Sequence, residues 1–243
     1  ASAMNATTTG ANNSGFGVAT LNSNTTGANN TALGNSALLS NTTASYNTAV
    51  GYQAGYSNTT GSETVAIGHQ ALKSQTTGRN TALGFNAGLD VSTGTYNTLI
   101  GGEAGENTTT GYSNVAVGTQ ALRANTTAGN NTAVGYQAGY TNTTGSYNTF
   151  VGRQAGYLAN NTGNVFNAFF GQSAGYSCTT GYNNTYIGTN AGDLITTGHD
   201  NTILGRYNGN QGGLDFRTES NNIVLSDGDG NPKFYSRSVG TTN

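Results

Sequence analysis

Charge, proline, sulfur and bulky aliphatic side chains are all scarce in this chain of 243 residues. Charged residues make up 7%, and there is one proline, one cysteine, one methionine and no tryptophan; a charged fraction of ~25% is usual. Each scarcity argues against a class of protein. Eight Lys and Arg stand singly against ten Asp and Glu, so no basic patch exists to neutralise phosphates and nucleic acid is not expected as a partner. No apolar run approaches the ~20 residues that span a bilayer, and the N-terminus has no charged segment leading into an apolar one. Neither membrane insertion nor a retained export signal is expected, and Ala1 to Met4 read as an edge remnant outside the fold. Cys178, alone, cannot close an internal disulfide. The 34% apolar fraction leans on Ala and Tyr, which is too little for the thick core of an ordinary globular domain of this length. Yet a net charge of −2 and a single proline do not suit a disordered chain. An ordered architecture with a thin core remains.

What the chain does have is repetition. Gly17, Gly34, Gly51, Gly68, Gly84, Gly101, Gly118, Gly135, Gly152, Gly171, Gly188 and Gly205 recur at a spacing of 17 residues, with one step of 16 and one of 19. A period this short predicts one β-coil per unit. The fold class expected is therefore all-β, a parallel β-roll (β-solenoid) of about twelve 17-residue coils over residues 10–209, with an N-terminal edge at 1–9 and a C-terminal cap at 210–243.

The residue before each glycine is bulky and apolar, from Phe16, Leu33 and Val50 to Ile187 and Leu204, and reads as the core column. Two before the glycine stands Ala, or Leu99, Phe150, Phe169, Tyr186 and Ile203. Neighbouring strand positions face opposite sides, so the strand is expected to be buried on both faces. The coil interior covers one face. A second copy of the chain in a cyclic homo-oligomer is the natural cover for the other. Spacer glycines such as Gly61, Gly78, Gly94 and Gly111 are expected where the turn requires positive φ.

The cores Thr64-Val65-Ala66-Ile67-Gly68 and Asn114-Val115-Ala116-Val117-Gly118 resemble the head repeat of YadA-like trimeric adhesins. The longer form Asn131 to Tyr140, with its Asn-Thr-Thr-Gly spacer, resembles bacteriophage tail-fibre shafts, and Asn222 to Asn231 resembles the segment that precedes their self-cleaving intramolecular chaperone domain, which this sequence lacks. These resemblances imply a left-handed roll, a homotrimeric fibre, flanking fibre domains as partners, a host cell-surface glycan or protein as receptor, and a place on the virion or cell surface. A bacterial adhesin head is the alternative, and an ice-binding solenoid a third.

Candidate chemistry is sparse, and no enzyme activity is expected. His69 and His199 lie in different units and read as surface variants; Glu103 and Glu106 share a unit, but a regular roll offers no cleft for paired acids. Asp227, Asp229 and Asn231 alternate like the opening of a calcium loop without its distal Glu. A Gly-rich turn between two strands accounts for the same residues, so no cofactor is expected and calcium is the alternative. The Asn-x-Thr sequons at Asn24, Asn41, Asn58, Asn107, Asn125 and Asn142 recur with the spacer and read as structural. Tyr52, Tyr56, Tyr136, Tyr140, Tyr157 and Tyr176 read as a rung-to-rung ladder. Thr31, Thr48, Thr81 and their equivalents share a face with the bulky column and are expected to be buried with it. Receptor contacts are expected where regularity breaks. One such place is the 19-residue unit, with Arg153, Tyr157, Asn160 and Asn161, whose extra residues lie at Leu158 to Asn161; the other is the cap, with Arg206, Tyr207, Arg217 and Tyr235.

Overall fold

Three-residue strands recur once per coil because only the stretch before each anchor glycine is free of turn-forming residues. The computed structural model describes residue 6 and residues 8–237; the expected remnant at Ala1 to Met4 and the end of the cap beyond 237 lie outside them. No helix occurs among the described residues. The chain is a parallel β-solenoid of about twelve turns and divides into two compact units, residues 1–127 and 128–243.

In the first unit, β1 (Ser14–Phe16), β2 (Thr31–Leu33), β3 (Thr48–Val50), β4 (Val65–Ile67), β5 (Thr81–Leu83), β6 (Thr98–Ile100) and β7 (Val115–Val117) pair in parallel, each with the next. In the second, β8 (Thr132–Val134), β10 (Thr149–Val151), β12 (Ala168–Phe170), β13 (Thr185–Ile187), β14 (Thr202–Leu204) and β17 (Ile223–Ser226) do the same. Three further pieces interrupt the regular path: β9 (Thr144–Ser146) pairs with β11 (Thr162–Asn164), β15 (Asn210–Gln211) with β16 (Leu214–Asp215), and β18 (Pro232–Ser236) folds back antiparallel on β17.

The face assignment differs from the sequence expectation. The column two before the glycine points inward: Ala32, Ala49, Ala66, Ala82, Leu99 and Ala116 in the first unit, and Ala133, Phe150, Phe169, Tyr186 and Ile203 in the second, are all buried. The bulky column points out. Phe16, Leu33 and Leu83 are exposed in the first unit, as are Phe170, Ile187 and Leu204 in the second. Thr31, Thr81 and Thr202, expected to be buried, share that face and are exposed with it. A 17-residue coil closes around a narrow interior that takes one column of the strand, whether small or large, and leaves the other outside.

The interior is balanced in volume. Four after the glycine a buried Leu (Leu21, Leu38, Leu72, Leu122) stands only where the inward strand residue is small; where that residue is large the position is glycine, as it also is beside Ala49, Ala82 and Ala133. A Cβ at Gly105 would stand 2.7 Å from the Leu99 side chain, and one at Gly156 would strike the Phe150 ring. Gly88 has Leu72 and Leu99 of the neighbouring coils against it, so a coil with both a small strand residue (Ala82) and glycine is filled from above and below. In the second unit Phe150, Phe169 and Tyr186 stack along the interior, with centroids 5.6 and 4.8 Å apart.

A second interior column is polar. Asn30, Asn47, Asn80, Asn97, Asn114, Asn131, Asn148, Asn167, Asn184 and Asn201 stand four before the glycine and are buried. Asn97 shows how they are satisfied: its Nδ2 donates to Gly111 O (2.9 Å) and to Asn80 Oδ1 (3.2 Å), and its Oδ1 accepts from the Asn114 backbone N–H (3.0 Å). The side chain thus supplies the partners that irregular backbone at a corner would lack. The sequon residues Asn24, Asn41, Asn58, Asn125 and Asn142 form another buried column; Asn107 lies one residue outside it and is half-buried, with Thr108 in its place.

Corners need left-handed backbone, and it is supplied by Asn29, Asn130 and Gly163 (φ 58, 60 and 78), as a turn-former would be expected to do, but more often by residues the sequence did not suggest. Gln53, Gln70, Gln120 and Gln137 (φ 53 to 60), Tyr46, Glu63 and Tyr96 (φ 60 to 62), and even the buried Leu38 and Leu72 (φ 47 and 48) occupy that region. The spacer glycines Gly61, Gly78, Gly94 and Gly111 do not. At Gly61, Gly78 and Gly94 a neighbouring coil passes too close for a side chain: a Cβ at Gly61 would fall within 3.0 Å of Thr77 backbone atoms, and one at Gly78 within 3.0 Å of Ser62 O.

Candidate functional site

The 19-residue unit departs from the regular wall at two points. Register against the preceding coil holds at 17 residues where Thr143 Oγ1 donates to Asn160 Oδ1 (2.6 Å), becomes 18 at Thr144 opposite Thr162, and reaches 19 where the Asn167 N–H donates to Asn148 Oδ1. Leu158 and Ala159 are therefore regular residues, Ala159 filling the buried sequon column. The additions fall next to Asn161 and at Val165, and they create the β9–β11 pair with the exposed tip Gly163. Asn161 Nδ2 donates to Gly181 O (2.7 Å) and so ties this coil to the next.

Tyr157 stacks between Tyr140 and Tyr176, with centroids 5.1 and 5.0 Å away and planes within 6°. Burial in this ladder, with the neighbouring tyrosines, raises its phenol pKa. Arg153 is exposed, and its guanidinium carbon lies 6.0 Å from the Tyr136 ring centre. The expected aromatic ladder is thus present along Tyr140, Tyr157 and Tyr176. Of the four residues proposed here, Arg153 and Asn160 present the most surface, whereas Tyr157 and Asn161 chiefly join coils.

At the cap the coil lengthens to 21 residues between Thr202 and Ile223, and the excursion frames an open groove of about 650 Å³ lined by Ser177, Leu194, Thr196, Asp215, Arg217 and Glu219, with Arg237 at its edge. Arg217 Nη2 pairs with Asp215 Oδ2 at 2.6 Å, and its guanidinium holds the Asp215 carboxyl down at about 2. Arg237 pairs with Glu219. Arg217 lines this groove, and Tyr235 is exposed on β18. Tyr207 requires correction as a receptor contact. It is fully buried, donates its hydroxyl to Leu214 O (3.1 Å) and meets Phe216 edge-on at 5.8 Å, supporting the cap from within. Arg206 is exposed one residue before it, and its charge moderates Asp193, whose carboxyl burial pushes up to about 6.

Asp227, Asp229 and Asn231 form the turn between β17 and β18. Asp227 Oδ1 accepts from the Asp229 and Asn231 N–H groups (3.1 and 2.9 Å), and Oδ2 pairs with Lys233 Nζ (2.9 Å); these donors hold its carboxyl well below the usual range. The Asp227 carboxylate is engaged by the turn itself, and no cluster of three His, Cys, Asp or Glu suited to a metal occurs among the described residues. Glu103 and Glu106 are bridged by Arg123 Nε at 2.9 and 2.7 Å. His69 stacks between Tyr52 and Phe85, each 5.3 Å away, and His199 lies on Tyr182 at 4.5 Å with Nδ1 2.6 Å from Asp200 Oδ2. Cys178 occupies the buried sequon column, and burial pushes its thiol up to about 12.

No family model, curated protein or solved structure matches the chain. Two features escaped the sequence reading. The outward apolar column was hidden because both strand positions are apolar. An open groove with Glu63, Arg79 and Tyr96 in its walls lies at the 16-residue unit, signalled by a break in period as the 19-residue unit is.

Proposed function

We propose that the chain is a structural and receptor-binding segment of a homotrimeric bacteriophage tail fibre, borne on the virion and used for attachment to a host cell-surface glycan or protein. The observation that carries this reading is the outward apolar column. Leu33, Leu83, Ile187 and Leu204 stand exposed at 42 to 50% of their surface, and each recurs one coil from another side chain of the same kind. A continuous row of this sort is costly in water, at ~25 cal/mol per Å² left uncovered. Copies of the same row from other chains are its simplest cover, since a repeat matches its own period.

Light scattering at micromolar concentration is expected to give about three times the chain mass of 24.7 kDa. A folded monomer that stays monomeric would overturn the trimer. Adsorption of the purified trimer to bacterial cells tests attachment, and a bacterial adhesin head is distinguished by adherence to host tissue instead. One observation favours a second reading: Thr31, Thr81 and Thr202 face outward, as an ice-ordering array requires. Ice-crystal shaping by the protein would support that reading, and normal hexagonal growth would remove it.

A further inference from the structure

The period shortens once, between Gly68 and Gly84, where Val65 pairs with Thr81 sixteen residues on. The residue is lost from the corner between the buried Gln75 and Asn80, where the Arg79 N–H donates to Ser62 O (3.0 Å) and Arg79 O accepts from the Tyr96 N–H (2.9 Å). An open groove of about 410 Å³ results, with Thr60, Glu63, Thr77, Arg79, Thr95 and Tyr96 in its walls. Arg79 organises it: Nε meets Glu63 Oε2 at 3.1 Å, Nη1 donates to Tyr96 Oη at 2.5 Å, and the guanidinium carbon lies 5.6 Å from the Tyr96 ring centre. Tyr96 is 56% exposed. The Thr77 hydroxyl oxygen is buried and has no hydrogen-bond partner, whereas the hydroxyl of the adjacent Thr76 donates to Ser92 O (3.0 Å) as its counterpart Thr42 does to Thr59 O.

We propose that this groove is a binding site for a neutral saccharide. Arg79 and Glu63 cancel each other's charge, so the groove has no surplus with which to hold a phosphate, sulfate or carboxylate. It does have donors and acceptors in fixed planes, the guanidinium and the carboxylate, set among threonine hydroxyls, which suits vicinal hydroxyl groups. It also has one exposed aromatic face on which the C–H side of a pyranose can lie. The groove is open along its length, which suits an internal stretch of a chain better than a small molecule enclosed on all sides. The inference rests on the attachment reading and names the class of receptor that reading leaves open.

The test uses the full chain against arrayed neutral oligosaccharides of hexose and N-acetylhexosamine, with sialylated and sulfated oligosaccharides alongside. Binding to neutral members is expected, with Tyr96→Ala and Arg79→Ala each weakening it by about tenfold or more at unchanged circular dichroism and oligomer mass. Tyr96→Phe should keep most of the affinity, and Tyr112→Ala, at an exposed tyrosine outside the groove, should keep all of it. Binding confined to anionic glycans, binding to none, or binding indifferent to Tyr96 and Arg79 would each overturn the site. If Arg217→Ala abolishes cell adsorption while Tyr96→Ala leaves it intact, recognition belongs to the cap and the attachment reading survives without this groove. A monomer that still binds neutral saccharide through Tyr96 would remove the fibre and keep the site.

Discussion

At the scale of the residue, the interior asparagines do work that aliphatic side chains do elsewhere. Asn97 connects its own corner to the coils on both sides, so Asn97→Ala leaves the Gly111 carbonyl and the Asn114 N–H without their side-chain partner. An expected loss of about 1–3 kcal/mol follows, readable as a lower denaturation midpoint at unchanged oligomer mass. Asp193 runs the other way. Its carboxyl is raised from 3.8 to about 6 by burial, and its Oδ1 has no hydrogen-bond partner. A raised carboxyl pKa means that the folded state favours the proton, so stability at this site is intact below about pH 4 and is lost as pH rises through about 6. Asp193→Asn should therefore raise the melting temperature at pH 7, and the difference should close as both proteins are taken to pH 4. An equal gap at both pH values would show that the carboxylate is already well solvated. These roles were not legible in sequence, because Asn in a Gly-rich spacer reads as a turn former whether its side chain points in or out.

At the scale of the element, the strand was legible in place and period but not in phase. The triplets Thr-Ala-Val and Thr-Leu-Ile have apolar residues at adjacent positions, so alternation cannot say which faces in, and the larger side chain suggested itself as core. The missing information is the width of the coil. A signal was nevertheless present along the chain: the position four after the glycine is Leu beside Ala116 and Gly beside Leu99, as expected only if both share one confined space. The faces separate cleanly by mutation. Leu99→Asp places an unpaired carboxylate in the interior, at a cost of several kcal/mol, and should prevent folding. Ile100→Asp lies on the outer face and should leave circular dichroism unchanged while abolishing the oligomer. If Ile100→Asp also unfolds the chain, assembly and folding are one step.

At the scale of the whole molecule, the repeat and the fold class were fixed by spacing alone, whereas the sites depend on where spacing fails. The 19-residue unit and the cap were visible in that way, but Tyr207 was placed on the surface because an aromatic beside an arginine looks like a contact and nothing local indicates that the enlarged last coil encloses it. Stability in such a stack is a sum over neighbours, which predicts tolerance to whole-coil deletion. Removing residues 52–68 joins Gly51 to His69, keeps the period, and brings Ala49 together with Leu72 as a complementary pair. The shortened chain should fold with a nearly unchanged circular dichroism spectrum per residue. Removal of only half a coil, residues 52–59, should abolish folding.

The filling of Gly88 by Leu72 and Leu99 from adjacent coils has a bearing on how such a chain can change its length over generations. A coil with small residues at both interior positions depends on neighbours of the opposite kind, so copying it alone beside itself would leave a hollow. A duplication of that kind yields a defective product. Viable gains and losses should therefore come as blocks that carry their own complement. The pattern of Leu and Gly along the chain then keeps a record of which blocks were inherited together, even where the surface residues have drifted apart.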